Sequence, residues 1–237
     1  MIQFYSPEIL KDKSLPEEES LHCCRVLRMK EGDEIFVVDG KGSRYLCEIT
    51  DAHPKHTQLR IKEVETSGKA PFDITLAVAP TKNSDRMEWM VEKCVELGVN
   101  KIIFIRCNHS ERKAIRRDRL EKIAVSAMKQ SLKTIKPEIT EIENFNDFIK
   151  ESPVIKNKFI AYCSDEYPRE ELVKMLQPCG DVLIIIGPEG DFTTEEVKMA
   201  VEKGFVPVTL GDFRLRTETA AIYSIAAVRI INTLERK

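Results

Sequence analysis

Two short stretches of the chain carry residue types that could hold and transform a small molecule. The first, Ile186-Gly187-Pro188-Glu189-Gly190, is a sharp turn that follows an unbroken apolar run. The second covers residues 210–220 and contains two arginines, a glutamate and two threonines. Backbone groups are left unpaired where a chain turns, and a helix start adds free N–H donors. We interpret the two turns as one small-molecule pocket at the carboxyl ends of parallel strands.

The turn at 186–190 matches no common phosphate motif. It lacks both the Gly-Lys-Ser/Thr of a phosphate-binding loop and the Gly-x-Gly-x-x-Gly of a dinucleotide site. Thr193 and Glu196, which follow it, have the spacing of a capping box at a helix start. A tight strand-to-helix turn without a ligand therefore remains an alternative for this turn when it is considered alone.

The arginines at 214 and 216 are harder to explain as structure. They stand where a helix is expected to begin, and a cation there opposes the positive end of the helix dipole. The pattern predicts a negatively charged partner. Glu218, Glu189 and a bound phosphate are the alternatives.

The elements that must position these turns follow two different patterns. Residues 1–68 contain short strand-like runs and a hairpin closed at Asp39-Gly40, which predict a small β-rich domain. Residues 66–71 are polar, contain Gly and Pro, and form the predicted linker. Residues 72–237 alternate strand and helix patterns, which predict an α/β domain with a mostly parallel sheet. The predicted strands there are 74–79, 101–105, 159–163, 182–186 and 206–210, and the predicted helices are 84–97 with Ser84 as its N-cap, 118–131, 169–176, 194–203 and 219–234.

Charge is distributed unevenly along the chain. The 37 Lys and Arg residues nearly balance the 39 Asp and Glu residues, so the net charge of −2 gives no whole-chain signature of a nucleic-acid binder. Residues 101–136, however, contain eleven basic and three acidic residues. Such a segment suits a polyanion, although a solvated basic helix face is an equal alternative.

Other residue types exclude several classes of protein. The seven cysteines are odd in number and form no Cys-x-x-Cys pair, which favours reduced thiols. No signal-peptide or membrane-spanning run is present, so a cytoplasmic location and no membrane partner are expected. His53 and His56 are interpreted as a polar turn, and no metal site is predicted. His109-Ser110 has no recognisable triad partner, so the sequence gives no support for nucleophilic catalysis.

Motifs spread along nearly the whole chain resemble one known family. They occur in the same order as in the ribosomal RNA small subunit methyltransferase E family, and together they are far more specific than any one of them. The motifs are His22-x-x-Arg25-Val26-Leu27-Arg28, Gly32-Asp33, Asp39-Gly40, Glu92-Lys93-Cys94-Val95-Glu96-Leu97-Gly98-Val99, Gln130-Ser131, Ile186-Gly187-Pro188-Glu189-Gly190-Asp191-Phe192, Leu210-Gly211 and Leu215-Arg216-Thr217-Glu218-Thr219-Ala220.

The resemblance implies a fold and an activity. The fold is a PUA-like β-barrel RNA-binding domain at 1–68, followed by a SPOUT-type α/β methyltransferase domain at 72–237. The second domain would contain a parallel sheet with a deep trefoil knot, a feature that general rules of chain threading disfavour. The implied protein is a homodimer that transfers a methyl group from S-adenosylmethionine to uracil N3 in 16S rRNA of the small ribosomal subunit, near the decoding centre.

The resemblance implies where the methyl donor binds, and the chemistry of methyl transfer and the positions of the basic residues predict the other roles. The methyl donor would lie among three turns, which we call turn 1 (after 159–163), turn 2 (186–190) and turn 3 (210–220). Arg216 is the predicted stabiliser of a uracil anion, and Glu218 either orients that arginine, accepts the proton, or only braces the helix start. The donor-binding residues are Ala161, Tyr162, Ile186, Gly187, Pro188, Glu189, Gly190, Leu210, Gly211, Leu215, Thr217, Thr219 and Ala220. The RNA-binding residues are Arg25, Arg28, Lys82, Arg86, Arg112, Arg116 and Arg117.

Some features depart from the family pattern or favour rivals. Lys129 and Lys133 stand where relatives often have Glu and Arg, and lysine cannot form the planar two-point contact of arginine with phosphate. The rival functions are a SPOUT methyltransferase acting on a ribose 2′-hydroxyl and a non-catalytic RNA-binding module. A nicotinamide-dependent oxidoreductase is disfavoured because the first strand-to-helix turn, residues 80–83, contains no glycine.

Overall fold

A computed structural model describes residues 2–68, 70–164 and 166–234 of the 237-residue chain. The chain divides into two compact units. Unit 1 contains the described residues up to 68 together with Val125–Lys136, and unit 2 contains Ala70–Ala124 and the described residues from Pro137 onward.

Unit 1 is built on a four-stranded sheet whose order is the order of its strands in the chain. Its strands are β1 (Gln3–Tyr5), β2 (Glu34–Val38), β3 (Ser43–Asp51) and β4 (Gln58–Thr66), and its helical segments are α1 (Ile9–Asp12), α2 (Glu17–Leu21) and a π-helical turn at His22–Val26. Strand β1 pairs with β2 in parallel, and the other pairs are antiparallel. Apolar side chains from the sheet and from α1 form its core, including Phe4, Ile9, Val37 and Ile49.

The predicted hairpin between β2 and β3 is confirmed. Asp39 organises its turn: Oδ1 accepts hydrogen bonds from the amides of Lys41 at 2.7 Å and Ser43 at 3.1 Å, and Oδ2 accepts one from the Tyr45 hydroxyl at 3.2 Å. Gly40 has a φ of +75°, a conformation that favours glycine. The Asp-Gly pair therefore closes the hairpin through both its side chain and its backbone freedom.

Residues 125–136 belong to unit 1 although they lie far from it in sequence. The amide of Gly42 donates to the Thr134 carbonyl at 3.1 Å, and the Gln3 side-chain amide donates to the Lys133 carbonyl at 2.7 Å. The predicted domains, 1–68 and 72–237, do not include this return of residues 125–136 to unit 1. Because the hydrogen bonds join residues about 90 to 130 positions apart, no local pattern in the sequence announces them.

Unit 2 contains a seven-stranded parallel sheet of order β7-β6-β5-β10-β8-β11-β9, which confirms the predicted α/β class. Its strands are β5 (Ile74–Val78), β6 (Lys101–Arg106), β7 (Glu138–Asn144), β8 (Asn157–Ala161), β9 (Glu170–Glu171), β10 (Val182–Ile186) and β11 (Val206–Thr209). Its helices are α3 (Ser84–Glu96), α4 (Arg117–Gln130, which continues into unit 1), α5 (Phe145–Glu151), α6 (Leu172–Met175), α7 (Thr194–Glu202) and α8 (Thr217–Leu234). The trefoil knot concerns how the chain threads between these elements and stays a prediction.

The burial of the central strand β10 explains its composition. Every residue of β10 is buried, because β5 pairs with one edge of it and β8 with the other, while helices cover the faces of the sheet. A strand buried on both faces needs an unbroken apolar run, and residues 182–186 are all Val, Leu or Ile. Among the helices that the structure describes, none is long and apolar enough to cross a membrane.

Several predicted element ends are corrected. The N-cap of α3 is Asn83 rather than Ser84, and its side chain accepts hydrogen bonds from the amides of Asp85 and Arg86. The predicted helix 169–176 is reduced to the four residues of α6, which follow a two-residue strand at the edge of the sheet. Helix α8 begins at Thr217, two residues earlier than predicted. Strand β7 and helix α5 were not predicted.

Candidate functional site

The carboxyl ends of three neighbouring strands, β10, β8 and β11, surround a cavity of about 1150 Å³. Turn 1 follows β8, which ends at Ala161 rather than at 163, so Tyr162 and Cys163 belong to turn 1. Turn 2 follows β10, and turn 3 joins β11 to α8. This is the edge of a parallel sheet at which α/β proteins bind ligands. The volume lies just above the usual range for ligand pockets, about 300–1,000 Å³.

Most of the predicted donor-binding residues line this cavity. They are Ala161, Tyr162, Ile186, Gly187, Pro188, Glu189, Leu210, Gly211, Leu215, Thr217 and Ala220, and Arg216 lines it as well. The structure thus brings together the three turns that lie apart in the sequence. Their apolar side chains and turning backbone suit an uncharged planar ring with polar edges.

Gly190 and Thr219 do not line the cavity. A Cβ on Gly190 would lie 2.9 Å from the Cβ of His109, so this glycine permits close packing against the loop after β6. Thr219 is exposed in the first turn of α8, whereas Thr217 and Ala220 face the cavity. Residues three apart share a helix face and residues one or two apart do not, which explains why only the flanking pair reaches the site.

Eleven further residues line the cavity without having been predicted. They are Cys163, Ser164, Tyr167, Pro168, Arg169, Asp191, Val208, Thr209, Asp212, Phe213 and Arg214. Five of them belong to the stretch 163–169, part of which carried a helix prediction. Residues 166–169 run without helix between β8 and β9, so their side chains are available to the cavity wall.

Hydrogen bonds between the turns hold the cavity in shape. The buried Thr217 hydroxyl donates to the Gly187 carbonyl at 3.0 Å and so joins turn 3 to turn 2. Glu189 accepts a hydrogen bond from the amide of Lys82 at 3.1 Å, which attaches turn 2 to the loop after β5. Gly187 is needed for packing, because a Cβ there would lie 2.9 Å from the buried Phe192 ring.

The predicted capping box of α7 is confirmed, and it reaches further than the helix. Glu196 is 3% exposed; its Oε2 accepts from the Thr193 amide at 2.9 Å, and the Thr193 hydroxyl accepts from the Glu196 amide at 3.2 Å. Its Oε1 accepts from the amide of Asn108, in the loop after β6, at 2.8 Å. One buried carboxylate therefore fixes both the helix start behind turn 2 and a neighbouring loop.

Charges of both signs line the cavity. Arg169, Arg214 and Arg216 supply three cations, and Glu189, Asp191 and Asp212 supply three carboxylates. Partial burial of the Cys163 thiol raises its pKa, and the negative charge of the nearby Asp191 carboxylate raises it further. A ligand with both an ammonium and a carboxylate, or with separate cationic and anionic parts, finds complementary groups on this wall.

The two predicted catalytic residues lie in different surroundings. Arg216 is exposed on the cavity wall. Glu218 is 6% exposed and does not line the cavity; its Oε1 lies 3.7 Å from the Arg86 guanidinium. The predicted action of Glu218 on Arg216 or on the proton stays a prediction, while its carboxylate lies beside Arg86 of α3. Helix α8 begins at Thr217, which places Glu218 in the first helical turn and directs it toward α3.

The predicted RNA-binding residues are mostly exposed, but several are paired. Arg25, Arg28 and Arg116 are exposed. The other four residues have partners within the protein. The pairs are Lys82 Nζ with Glu111 at 2.8 Å, Arg112 with the Lys82 carbonyl at 2.6 Å, Arg86 with Glu218, and Arg117 with Glu121 at 2.9 Å and Glu141 at 3.9 Å. The hydrogen bond that the Lys82 ammonium donates to the Glu111 carboxylate raises the pKa of Lys82. Local carboxylates therefore offset part of the charge of the basic segment.

Within residues 2–68, 70–164 and 166–234, no group of three or more His, Cys, Asp or Glu side chains is arranged to hold a metal ion. The rings of His53 and His56 contact each other at an interplanar angle of 49°, with their centroids 4.3 Å apart.

Models of two protein families match the chain. The RNA methyltransferase domain matches residues 68–229, and the RNA methyltransferase PUA domain matches residues 15–62. The first match alone spans more than half of the chain. The two matched ranges correspond to the parallel-sheet region and to the β-rich N-terminal region.

Several individual proteins are similar to this chain over most of its length. The ribosomal RNA small subunit methyltransferase E of Bacillus subtilis is 30% identical over 91% of this chain and 88% of its own length. The crystal structure of the enzyme of that name from Neisseria gonorrhoeae, bound to S-adenosylmethionine, is 31% identical, covers 98% of both chains and has a TM-score of 0.86. A probable rRNA-methyltransferase from Porphyromonas gingivalis is 42% identical over the full length of both chains, with a TM-score of 0.94.

These matches extend over both units and over all three turns that surround the cavity. The chain therefore belongs to the ribosomal RNA small subunit methyltransferase E family and is an RNA methyltransferase.

Proposed function

We propose that this protein transfers a methyl group from S-adenosylmethionine to N3 of a uracil in 16S rRNA of the small ribosomal subunit, near the decoding centre. The observation that carries the proposal is the cavity at the ends of β8, β10 and β11, where the predicted donor-binding residues and Arg216 meet. The names of the relatives, and the donor bound in the Neisseria gonorrhoeae structure, support it.

The cavity suits the chemistry of this donor. S-adenosylmethionine, when bound, supplies an electrophilic methyl group on a cationic sulfur. The turning backbone at Gly187 and Leu210 can hydrogen-bond adenine and ribose, while Ile186 and Leu215 can flank the ring. Among the described residues that line the cavity there is no lysine, which fits a donor that has no phosphate. Isothermal titration calorimetry with S-adenosylmethionine tests this directly, and a protein that gives no heat of binding would instead fit an RNA-binding module without catalysis.

Arg216 is the residue that we assign to the chemical step. Uracil N3 must pass its proton to solvent to become a good nucleophile, and the negative charge that develops spreads onto the base carbonyls. A guanidinium on the cavity wall can stabilise that charge through directed hydrogen bonds. Glu218 is assigned a supporting role, because its carboxylate lies beside Arg86 at the start of α8.

Substitution of Arg216 tests this role. Arg216→Ala is expected to lower turnover by about 10²–10³-fold, as for the loss of one preorganised donor, while the dissociation constant for S-adenosylmethionine stays the same. Arg216→Lys keeps the positive charge but loses the planar guanidinium, and its turnover is expected to lie between those of the wild type and Arg216→Ala. Full turnover in the alanine variant would overturn the assignment.

The target atom requires an analysis of nucleosides. In 16S rRNA from cells that lack the gene, mass spectrometry is expected to show the loss of one N3-methyluridine and its return when the gene is restored. Loss of a ribose-methylated nucleoside would favour the rival SPOUT activity. Assays with free 16S rRNA and with assembled subunits separate the two forms of the substrate.

RNA binding is assigned to Arg25, Arg28, Lys82, Arg86, Arg112, Arg116 and Arg117. Phosphate contacts place an RNA without reading its sequence, and their loss reduces the dependence of affinity on salt. Log K for RNA binding falls as log salt rises, and Arg116→Ala is expected to make this negative slope shallower by about 0.7–0.9. Arg60→Ala is the matched control, because Arg60 already pairs with Glu48 at 2.6 Å. An unchanged slope in the Arg116 variant would contradict its assignment.

A homodimer and a cytoplasmic location complete the proposal. Helix α8 exposes Tyr223, Ile230 and Leu234 by 41%, 58% and 65%, and their spacing of seven and four residues places them on one face. We expect Tyr223→Glu combined with Ile230→Glu to convert a dimer into a monomer in analytical ultracentrifugation. Val154→Glu, at a fully exposed position outside the helices, is the control and should leave the dimer intact.

A further inference from the structure

Asp191 has an unusual position at the end of turn 2. It lines the cavity, and its φ of +63° lies in the left-handed region that residues other than glycine rarely adopt. Its amide donates to the Pro188 carbonyl at 3.0 Å, which closes the turn. Asp and Asn tolerate this backbone conformation better than other residues with a side chain. Glycine would tolerate it better still, so the backbone alone does not account for an aspartate.

The carboxylate of Asp191 joins two of the turns that form the cavity. Its Oδ2 accepts a hydrogen bond from the amide of Cys163, in turn 1, at 3.0 Å. Its Oδ1 accepts one from the amide of Phe192 at 2.9 Å, which fixes the direction of the side chain. Each carboxylate oxygen therefore accepts a hydrogen bond from one backbone amide. One of these amides is 28 residues from Asp191 in the sequence, and the other is that of the next residue. The carbonyl of Asp191 is also 3.0 Å from His109 Nδ1, in the loop after β6.

We propose that Asp191 is a positioning residue that holds turn 1 against turn 2, so that the donor cavity is already formed before the methyl donor binds. This inference rests on the proposed function of the cavity. Turn 1 lies among residues 162–164 and 166–169, which belong to no helix or strand, so hydrogen bonds to other segments must fix its position. If the tether is lost, only a fraction of molecules has a competent cavity, and the apparent dissociation constant rises by the inverse of that fraction.

The two oxygens make the role specific for a carboxylate. Asparagine tolerates the backbone and keeps one acceptor oxygen, but its NH₂ group would face one of the two amides. Glycine relieves the backbone and removes both hydrogen bonds. If only backbone conformation mattered, glycine would bind the donor as well as aspartate does. If the tether matters, affinity falls in the order aspartate, asparagine, glycine.

Calorimetry on the full-length protein tests the inference. Asp191→Asn is expected to weaken binding of S-adenosylmethionine on the order of tenfold, the effect of one lost hydrogen bond to a charged group, and Asp191→Gly more than that. In turnover assays the KM for the donor is expected to rise in parallel, while kcat at saturating donor and the KM for RNA stay the same. Equal affinities for wild type, Asp191→Asn and Asp191→Gly would overturn the inference.

Two controls separate a tether from a direct charge effect on the cationic donor. S-adenosylhomocysteine lacks the sulfonium charge, and preorganisation predicts the same fold-loss for it as for S-adenosylmethionine. A loss confined to the cationic ligand would overturn the inference. Asp212→Asn removes a carboxylate from the same wall and is expected to change affinity less than Asp191→Asn; an equal change in both would also overturn it. Absence of donor binding by the wild-type protein would instead refute the proposed function itself.

Discussion

Replacement of Gly187 by alanine is expected to destabilise unit 2 through one identifiable collision. A Cβ at this position would lie 2.9, 3.1 and 3.2 Å from three ring carbons of Phe192. Carbon atoms prefer to lie about 3.5–4.0 Å apart, so the ring must move. It is 4% exposed and packs against Phe145 with ring centroids 5.6 Å apart, which leaves it little room.

The magnitude follows from the cost of overpacking a core, about 1–3 kcal/mol. For a chain of this size each kcal/mol lowers the melting temperature by about 2–4 °C. The measurement is the free energy of unfolding from urea titrations, together with calorimetric melting. Because Gly187 also lines the cavity proposed to bind the donor and accepts the Thr217 hydrogen bond, weaker binding of S-adenosylmethionine is expected in the same variant.

A double-mutant cycle identifies the cause. Phe192→Leu removes the ring edge, so the cost of Gly187→Ala is expected to be smaller in that background, with a coupling energy of about 0.5–3 kcal/mol. Gly68→Ala is the matched control, because a Cβ there meets no atom within 4 Å, and it is expected to stay within about 0.5 kcal/mol of wild type. An unchanged unfolding free energy for Gly187→Ala, or additive effects in the double variant, would refute the reasoning.

Three further outcomes are expected. Thr217→Val leaves the buried Gly187 carbonyl without its hydrogen bond and should cost about 1–3 kcal/mol in urea unfolding, and a cost near zero would contradict the geometry. A charged maleimide should label the exposed Cys163 and Cys179 first, and S-adenosylmethionine should protect only Cys163, which lines the cavity; equal labelling with and without the donor would place the donor elsewhere. Burial lowers the pKa of Lys158, so the unfolded chain holds that proton more tightly and stability should rise as the pH rises through the folded pKa toward about 10.4. Lys158→Met should remove this part of the rise in urea titrations.

The sequence by itself predicted the features that depend on neighbours in the chain. The capping box at Thr193 and Glu196, the hairpin at Asp39-Gly40 and the apolar run of β10 were all predicted and are confirmed. Each follows from turn chemistry, capping or burial on both faces, and these need only a few adjacent residues. The resemblance of motifs along the chain identified the family, and most of the residues that it implies for donor binding line the cavity in the structure.

Only the tertiary structure decided which distant residues meet. It placed residues 125–136 in unit 1, turned Glu218 toward Arg86, and brought the stretch 163–169 to the cavity. It also gave Asp191 a partner in the Cys163 amide, a contact across 28 residues. Such contacts depend on the order in which parallel strands assemble and on where each helix begins. A local pattern in the sequence contains neither, and the shape of the donor cavity depends on both.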